Sequence, residues 1–165
     1  MAAERFAREA RAVVTRGWRL AGELGSSSVD AQHLLLALAE GESAAARALN
    51  AEGVDGASLR AALEDEPQRS LRRAGFALGA LAVPPATPVT PRRGRAAWGT
   101  SAKLALERAV KAAQARGDSR IGAEHVLLGL LGARAGAVPR LLEHLGAGAA
   151  EVQAALESEL AAEAG

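Results

Sequence analysis

The chain has no cysteine and no tyrosine, and aromatic residues fill only 2% of its 165 positions. Without cysteine there is neither a disulfide framework nor a thiolate metal site. β-branched residues are scarce beside alanine and leucine, which weights the chain towards helix. Neither sign of charge dominates. Twenty Lys and Arg oppose 19 Asp and Glu, for a net charge of +1, so no global field draws nucleic acid or an anionic membrane. Long apolar runs are also missing. The longest uncharged stretch, between Arg73 and Arg92, contains Pro84, Pro85, Pro88 and Pro91 and cannot form a spanning helix. The first residues carry Glu4, Arg5, Arg8 and Glu9 ahead of any apolar run, unlike a secretory signal or an acid-poor transit peptide. A cytoplasmic protein is expected, and the Ala, Gly and Arg bias fits a GC-rich bacterial genome.

What the chain does have is a repeat. Sliding the sequence by 92 residues sets Phe6 on Trp98, Gly25 on Gly117, His33 on His125 and Leu38 on Leu130. One inserted residue later the offset becomes 93, and Ala61-Ala-Leu-Glu64 meets Ala154-Ala-Leu-Glu157. Matched blocks kept in order across both halves mark a duplication. With 49% apolar residues the chain has the composition of a globular protein.

Each copy reads as four helices. Phe6, Ala10, Val13, Val14, Gly17, Trp18, Ala21 and Leu24 fall on one helical face, which places Trp18 in the core. The second copy repeats the spacing with Trp98, Ala102, Ala105, Leu106, Ala109, Val110 and Ala113. Gly25 and Gly117 follow as stop signals. A second helix starts at Asp30 or Gly122, a third covers 43–51 or 136–144, and a fourth covers 56–65 or 149–162. The expected fold is all-α, two tandem four-helix repeats with pseudo-two-fold symmetry. The repeats span 1–65 and 98–165, each with its own core, and a linker spans 66–97. That linker holds six arginines against Glu66 alone, so the basic balance is confined to it. It reads as a solvated connector or as a docking segment for an acidic partner. Its apolar patch, 75–83, is expected to pack on a repeat.

The block Ile121-Gly-Ala-Glu-His-Val-Leu-Leu-Gly-Leu130, with its weaker copy at 29–38, resembles the double Clp repeat. That is the N-terminal domain of Clp AAA+ unfoldases of the C type. No Gly-x-x-x-x-Gly-Lys-Ser/Thr phosphate loop is present, so the chain is similar to the recognition domain without its ATPase modules. The resemblance implies a non-catalytic module for peptides, protein substrates or adaptors. It further implies either a decoy that sequesters hydrophobic cyclic-peptide antibiotics, and so confers antibiotic resistance, or a modulator of a Clp unfoldase–protease.

Two candidate sites follow from the resemblance. A peptide groove between the first helices of the repeats would use Arg11, Val14, Trp98, Lys103, Glu107 and Val110. Trp98 would be its anchor, since an indole offers a large apolar face and one N–H donor. Because Phe6 holds the equivalent place, Trp98 reads equally as a core residue. The aromatic that relatives carry near the N-terminus is replaced by Ala3. A phosphoarginine-type pocket would use Gly122 and Glu124, with helix N–H groups for the phosphate. In the first repeat Gln32 lacks the charge that pairs with guanidinium, and Asp30 puts an anion where phosphate would sit.

His33, His125 and His144 show no metal-ligand spacing and read as structural, and the serines 26–28 read as loop and cap residues. No cofactor, metal site or assembled nucleophile and base is expected, so the chain is not expected to be an enzyme. The competing reading is a helical nucleic-acid-binding protein that uses the arginines of the linker. The near-neutral charge and the lack of a basic helix face argue against it.

Overall fold

The computed structural model describes residues 6–73 and 96–165, with 67–73 as backbone alone. The first repeat comprises α1 (Arg8–Glu23), the two-residue strand β1 (Ser28–Val29), α2 (Ala31–Ala39), α3 (Ala44–Ala51) and α4 (Gly56–Arg73). The second comprises β2 (Ala97–Trp98), α5 (Thr100–Arg116), α6 (Ala123–Leu131), α7 (Ala137–His144) and α8 (Ala149–Ala164). The four-helix pattern of each copy is therefore met. α4 runs on to Arg73 instead of stopping at Asp65, so helix occupies the start of the segment read as linker. The apolar patch at 75–83 and the linker prolines lie outside the described residues.

Small residues set the distance between helices. α1 buries Ala10, Val13, Gly17, Leu20 and Ala21, and α5 buries Ala102, Ala105, Ala109 and Ala113, each at helical spacing. A Cβ on Gly129 would collide with the Ala105 carbonyl and lie 2.8 Å from Ala109 N, so α6 meets α5 almost backbone to backbone. The hairpins α1–α2 and α5–α6 turn at Gly25 and Gly117, whose φ values of 71° and 76° suit glycine. Their ends close with Schellman-type bonds, Ser26 N to Ala21 O at 2.8 Å and Asp118 N to Ala113 O at 2.9 Å.

The repeats do not hold separate cores, contrary to the expectation from sequence. α3 packs on α8 and α4 on α7, while α2 touches α5, α6 and α7. Leu34, Leu36, Leu49, Leu59, Leu127, Leu130, Leu141 and Leu156 are fully buried in one continuous cluster. The chain leading into each repeat also crosses to the other one. β1 pairs in parallel with β2, with Val29 opposite Trp98, and Phe6 bridges Ile121. Gly99 N donates to Val29 O at 2.8 Å, and its counterpart Ala7 N donates to Ile121 O at 2.9 Å. Pseudo-two-fold symmetry therefore extends to individual hydrogen bonds.

Candidate functional site

Beside this exchange of leading segments, α1 and α5 lie on either side of a groove. A cavity of about 300 Å³ lies there, lined by Phe6, Arg11, Val14, Thr15 and Leu106. Val14 and Leu106 are repeat counterparts, one from each wall. The walls are apolar, and Arg11 is exposed with no ion pair among the described residues. Burying an apolar ligand face here would release water from Phe6, Val14 and Leu106 without stranding a polar group.

Of the residues expected at this groove, Arg11 and Val14 line the cavity. Trp98 sits in β2, half-buried against the core, while its counterpart Phe6 lines the cavity instead. Lys103 and Glu107 are exposed, and no ion pair joins them. Val110 is half-buried against the core. Sequence reasoning did not assign Leu106, Phe6 or Thr15 to the groove. The offset that links Leu106 to Val14 was the available signal. The placement of Trp18 in the core is corrected: it is 39% exposed. Ala10, Val13, Gly17, Leu20 and Ala21 already fill the buried face of α1, so Trp18 falls on its flank. There it lies one helical turn from Val14, outside the lining of the cavity.

The helix starts form the second candidate site. His33 and His125, both buried, cap α2 and α6 through their Nδ1 atoms, which accept from Asp30 N at 2.8 Å and Gly122 N at 2.9 Å. Accepting there leaves the proton of a neutral ring on Nε2, and His125 Nε2 lies 2.9 Å from Asp118 Oδ2. Burial holds His33 below the ordinary histidine range, against a smaller opposing pull from Asp30. The two pockets differ in what fills them. In the first repeat the Asp30 carboxylate accepts from Ser28 Oγ at 2.7 Å and from Ser101 Oγ at 2.9 Å. Ser101 Oγ in turn accepts from Ala31 N at 3.0 Å, so an internal anion spans the starts of α2 and α5. Gln32 is half-buried beside it. In the second repeat Gly122 supplies no side chain, and Glu124 curls back over it, with Oε1 3.1 Å from His125 Nδ1.

No group of three or more metal-binding side chains occurs among the described residues, and none of their helices is long and apolar enough to cross a membrane.

The chain is thus a tandem all-α repeat protein with a shared core and an apolar groove between the first helices of its repeats. The chain belongs to the Clp repeat N-terminal domain family, which it matches over residues 5–80 and 99–165. It is 34% identical over 145 residues to the chaperone protein ClpC2, chloroplastic, of Arabidopsis thaliana, covering 87% of this chain and 13% of that protein. A ClpA homolog, CD4B, of Solanum lycopersicum matches at the same 34% over 87% of the chain and 14% of its own length. The chain thus spans about a seventh of these relatives, namely their N-terminal domain. In structure it is similar to the N-terminal domain of ClpD from Arabidopsis thaliana, with a TM-score of 0.71, 25% identity and 97% of each chain covered. The Hsp104 N-terminal domain from Candida albicans shares the fold at a TM-score of 0.65 and 16% identity, over 92% of this chain and 88% of that one.

Proposed function

We propose that the chain is a non-catalytic module that receives peptides, protein substrates or adaptors of a Clp unfoldase. We further propose that it acts in the cytoplasm of a bacterium as a decoy for hydrophobic cyclic peptides that target the unfoldase. The observation that carries this reading is the apolar groove between α1 and α5, with Phe6, Val14 and Leu106 in its walls and Trp18 exposed one turn beyond. An apolar macrocycle pays little conformational entropy on docking, and Arg11 at the rim offers donors to its carbonyls.

Tryptophan emission tests the proposal. In a Trp98→Phe background, Trp18 should shift to the blue as a hydrophobic cyclic heptapeptide is titrated in. Val14→Asp should weaken binding roughly 10- to 100-fold without loss of helix, because it places a charge in a groove that the ligand must dry. Trp98→Ala discriminates between the aromatics. A loss of that size makes Trp98 the anchor, and an unchanged affinity leaves the role to Phe6 and Trp18. Binding that ignores both Val14→Asp and Leu106→Asp would remove the groove from the account.

A further inference from the structure

Two other cavities form a repeat-related pair whose charges have diverged. The larger, about 540 Å³, lies between α1, the turn from α2 into α3, and Ala123 of the second repeat. Its counterpart, about 90 Å³, lies between α5, the turn from α6 into α7, and Ala31 of the first repeat. Ala31 and Ala123 are themselves 92 residues apart, as are Val13 and Ala105, Arg16 and Arg108, and Leu38 and Leu130. Both cavities therefore share an apolar floor and one arginine.

Their carboxylates do not follow the symmetry. Glu9, Glu40 and Glu42 line the larger cavity, and the second repeat has Ser101, Gly132 and Arg134 at those offsets. Arg60, outside the lining, donates through Nε to the Glu40 carboxylate at 2.6 Å. Arg16 Nη1 donates to the Glu40 carbonyl at 2.8 Å, a neutral acceptor. Glu9 and Glu42 are exposed, and their carboxylates enter no ion pair among the described residues. The lining thus carries two such carboxylates and one guanidinium, a net single negative charge over an apolar floor. The smaller cavity has Arg108 and no carboxylate in its lining, so its sign is opposite.

We propose that the larger cavity is a second docking site, which takes one unmodified arginine side chain flanked by small apolar residues in an extended peptide segment. The guanidinium would meet Glu9 and Glu42, and its alkyl stem would lie along Val13 and Leu38. A phosphorylated arginine would bring the wrong sign to this cavity. The site is independent of the groove between α1 and α5, and neither proposal needs the other.

The test uses the whole chain and two fluorescein-labelled hexapeptides, Ala-Ala-Leu-Arg-Ala-Ala and its analogue with neutral citrulline for arginine. By fluorescence anisotropy the arginine peptide should bind more tightly, with an affinity that falls as salt rises. Glu9→Gln combined with Glu42→Gln should weaken it roughly 5- to 20-fold, as expected for two partly solvated charge pairs. Arg134→Ala, in the related loop of the second repeat, should leave it unchanged. Both glutamates are exposed, so the double variant should keep its helical signal and melting temperature. Equal binding of the two peptides, no binding of either, or full affinity in the double variant would overturn the proposal. So would displacement of the arginine peptide by a hydrophobic cyclic peptide, since that would put it in the other groove.

Discussion

Arg47 on α3 donates through Nε to Glu159 on α8 across 2.6 Å, and a second nitrogen of the same guanidinium pairs with Glu163. Arg140 on α7 makes the related bond to Glu66 on α4 at 2.9 Å. Both arginines and both glutamates are separated by the same 93 residues, so one ion pair occurs twice. Each copy joins the third helix of one repeat to the fourth helix of the other. These pairs close the outside of the same interface that the leucines fill.

Arg47→Ala and Arg140→Ala should each lower stability only slightly, and the double variant should show the sum, since the two pairs share no residue. Exposed pairs are screened, so the difference from wild type should vanish in about 1 M salt. Leu127→Ala, by contrast, removes a fully buried side chain and should cost about 2–5 kcal/mol at any salt. Chemical denaturation at low and high salt measures all four proteins.

The shared core has a consequence for the repeats as separate pieces. A fragment ending at Arg73 would expose the faces of α2 and α3 that meet α5, α6 and α8. Residues 1–73 and 96–165 made separately should show little helix, and mixing them should restore it. Circular dichroism before and after mixing is the measurement. Full helicity in either fragment alone would show that a repeat can close its own core after all.

Much of this fold was legible because the duplication aligns like with like: Gly25 with Gly117, and His33 with His125. The sequence offset states that two copies exist, but it does not state which copy a helix packs against. The exchange of α4 and α8 between repeats and the crossing of Phe6 and Trp98 were therefore invisible. Periodicity failed at Trp18 for a related reason. It ranks residues by angle around a helix, and Trp18 lies at the margin of a face that smaller side chains already fill. At the groove, the expected Arg11 and Val14 line the cavity, whereas Leu106 required the symmetry to be applied to single residues. Glu9 joins the neighbouring Glu40 and Glu42 only through tertiary packing, and no spacing in the chain announces that meeting.

Buried His33 makes stability depend on pH. Burial holds His33 below its ordinary value of 6.5, so in the window beneath 6.5 the unfolded chain binds more protons than the folded one. Stability is therefore fully present above that value and falls as the pH drops towards the folded-state value. Tm should decline on acidification below about 6.5, and His33→Gln should flatten that decline, because an amide oxygen can still accept from Asp30 N without titrating. A Tm profile between pH 5 and 8 gives the answer. An unchanged slope in the variant would assign the acid sensitivity to another group.

At the helix starts the repeats have parted in the side chains that could hold an anion. A phosphoarginine side chain needs a carboxylate for its guanidinium and free N–H groups for its phosphate. In the first repeat the Asp30 carboxylate already lies at the start of α2, fixed by Ser28 and Ser101, and Gln32 supplies no charge. A phosphate arriving there would face a bound anion at close range. In the second repeat Gly122 has no side chain and the Glu124 carboxylate lies over it, so phosphoarginine would bind there by drawing Glu124 out to its guanidinium and putting its phosphate in the space vacated. Calorimetry with free phosphoarginine should then find one site and not two. Glu124→Ala should abolish binding, and Gln32→Ala should leave it as it was. Asp30→Gly combined with Gln32→Glu rebuilds the pattern of the second repeat and should create a second site. Two sites in the wild-type chain, or binding that survives Glu124→Ala, would refute this account of how the repeats diverged.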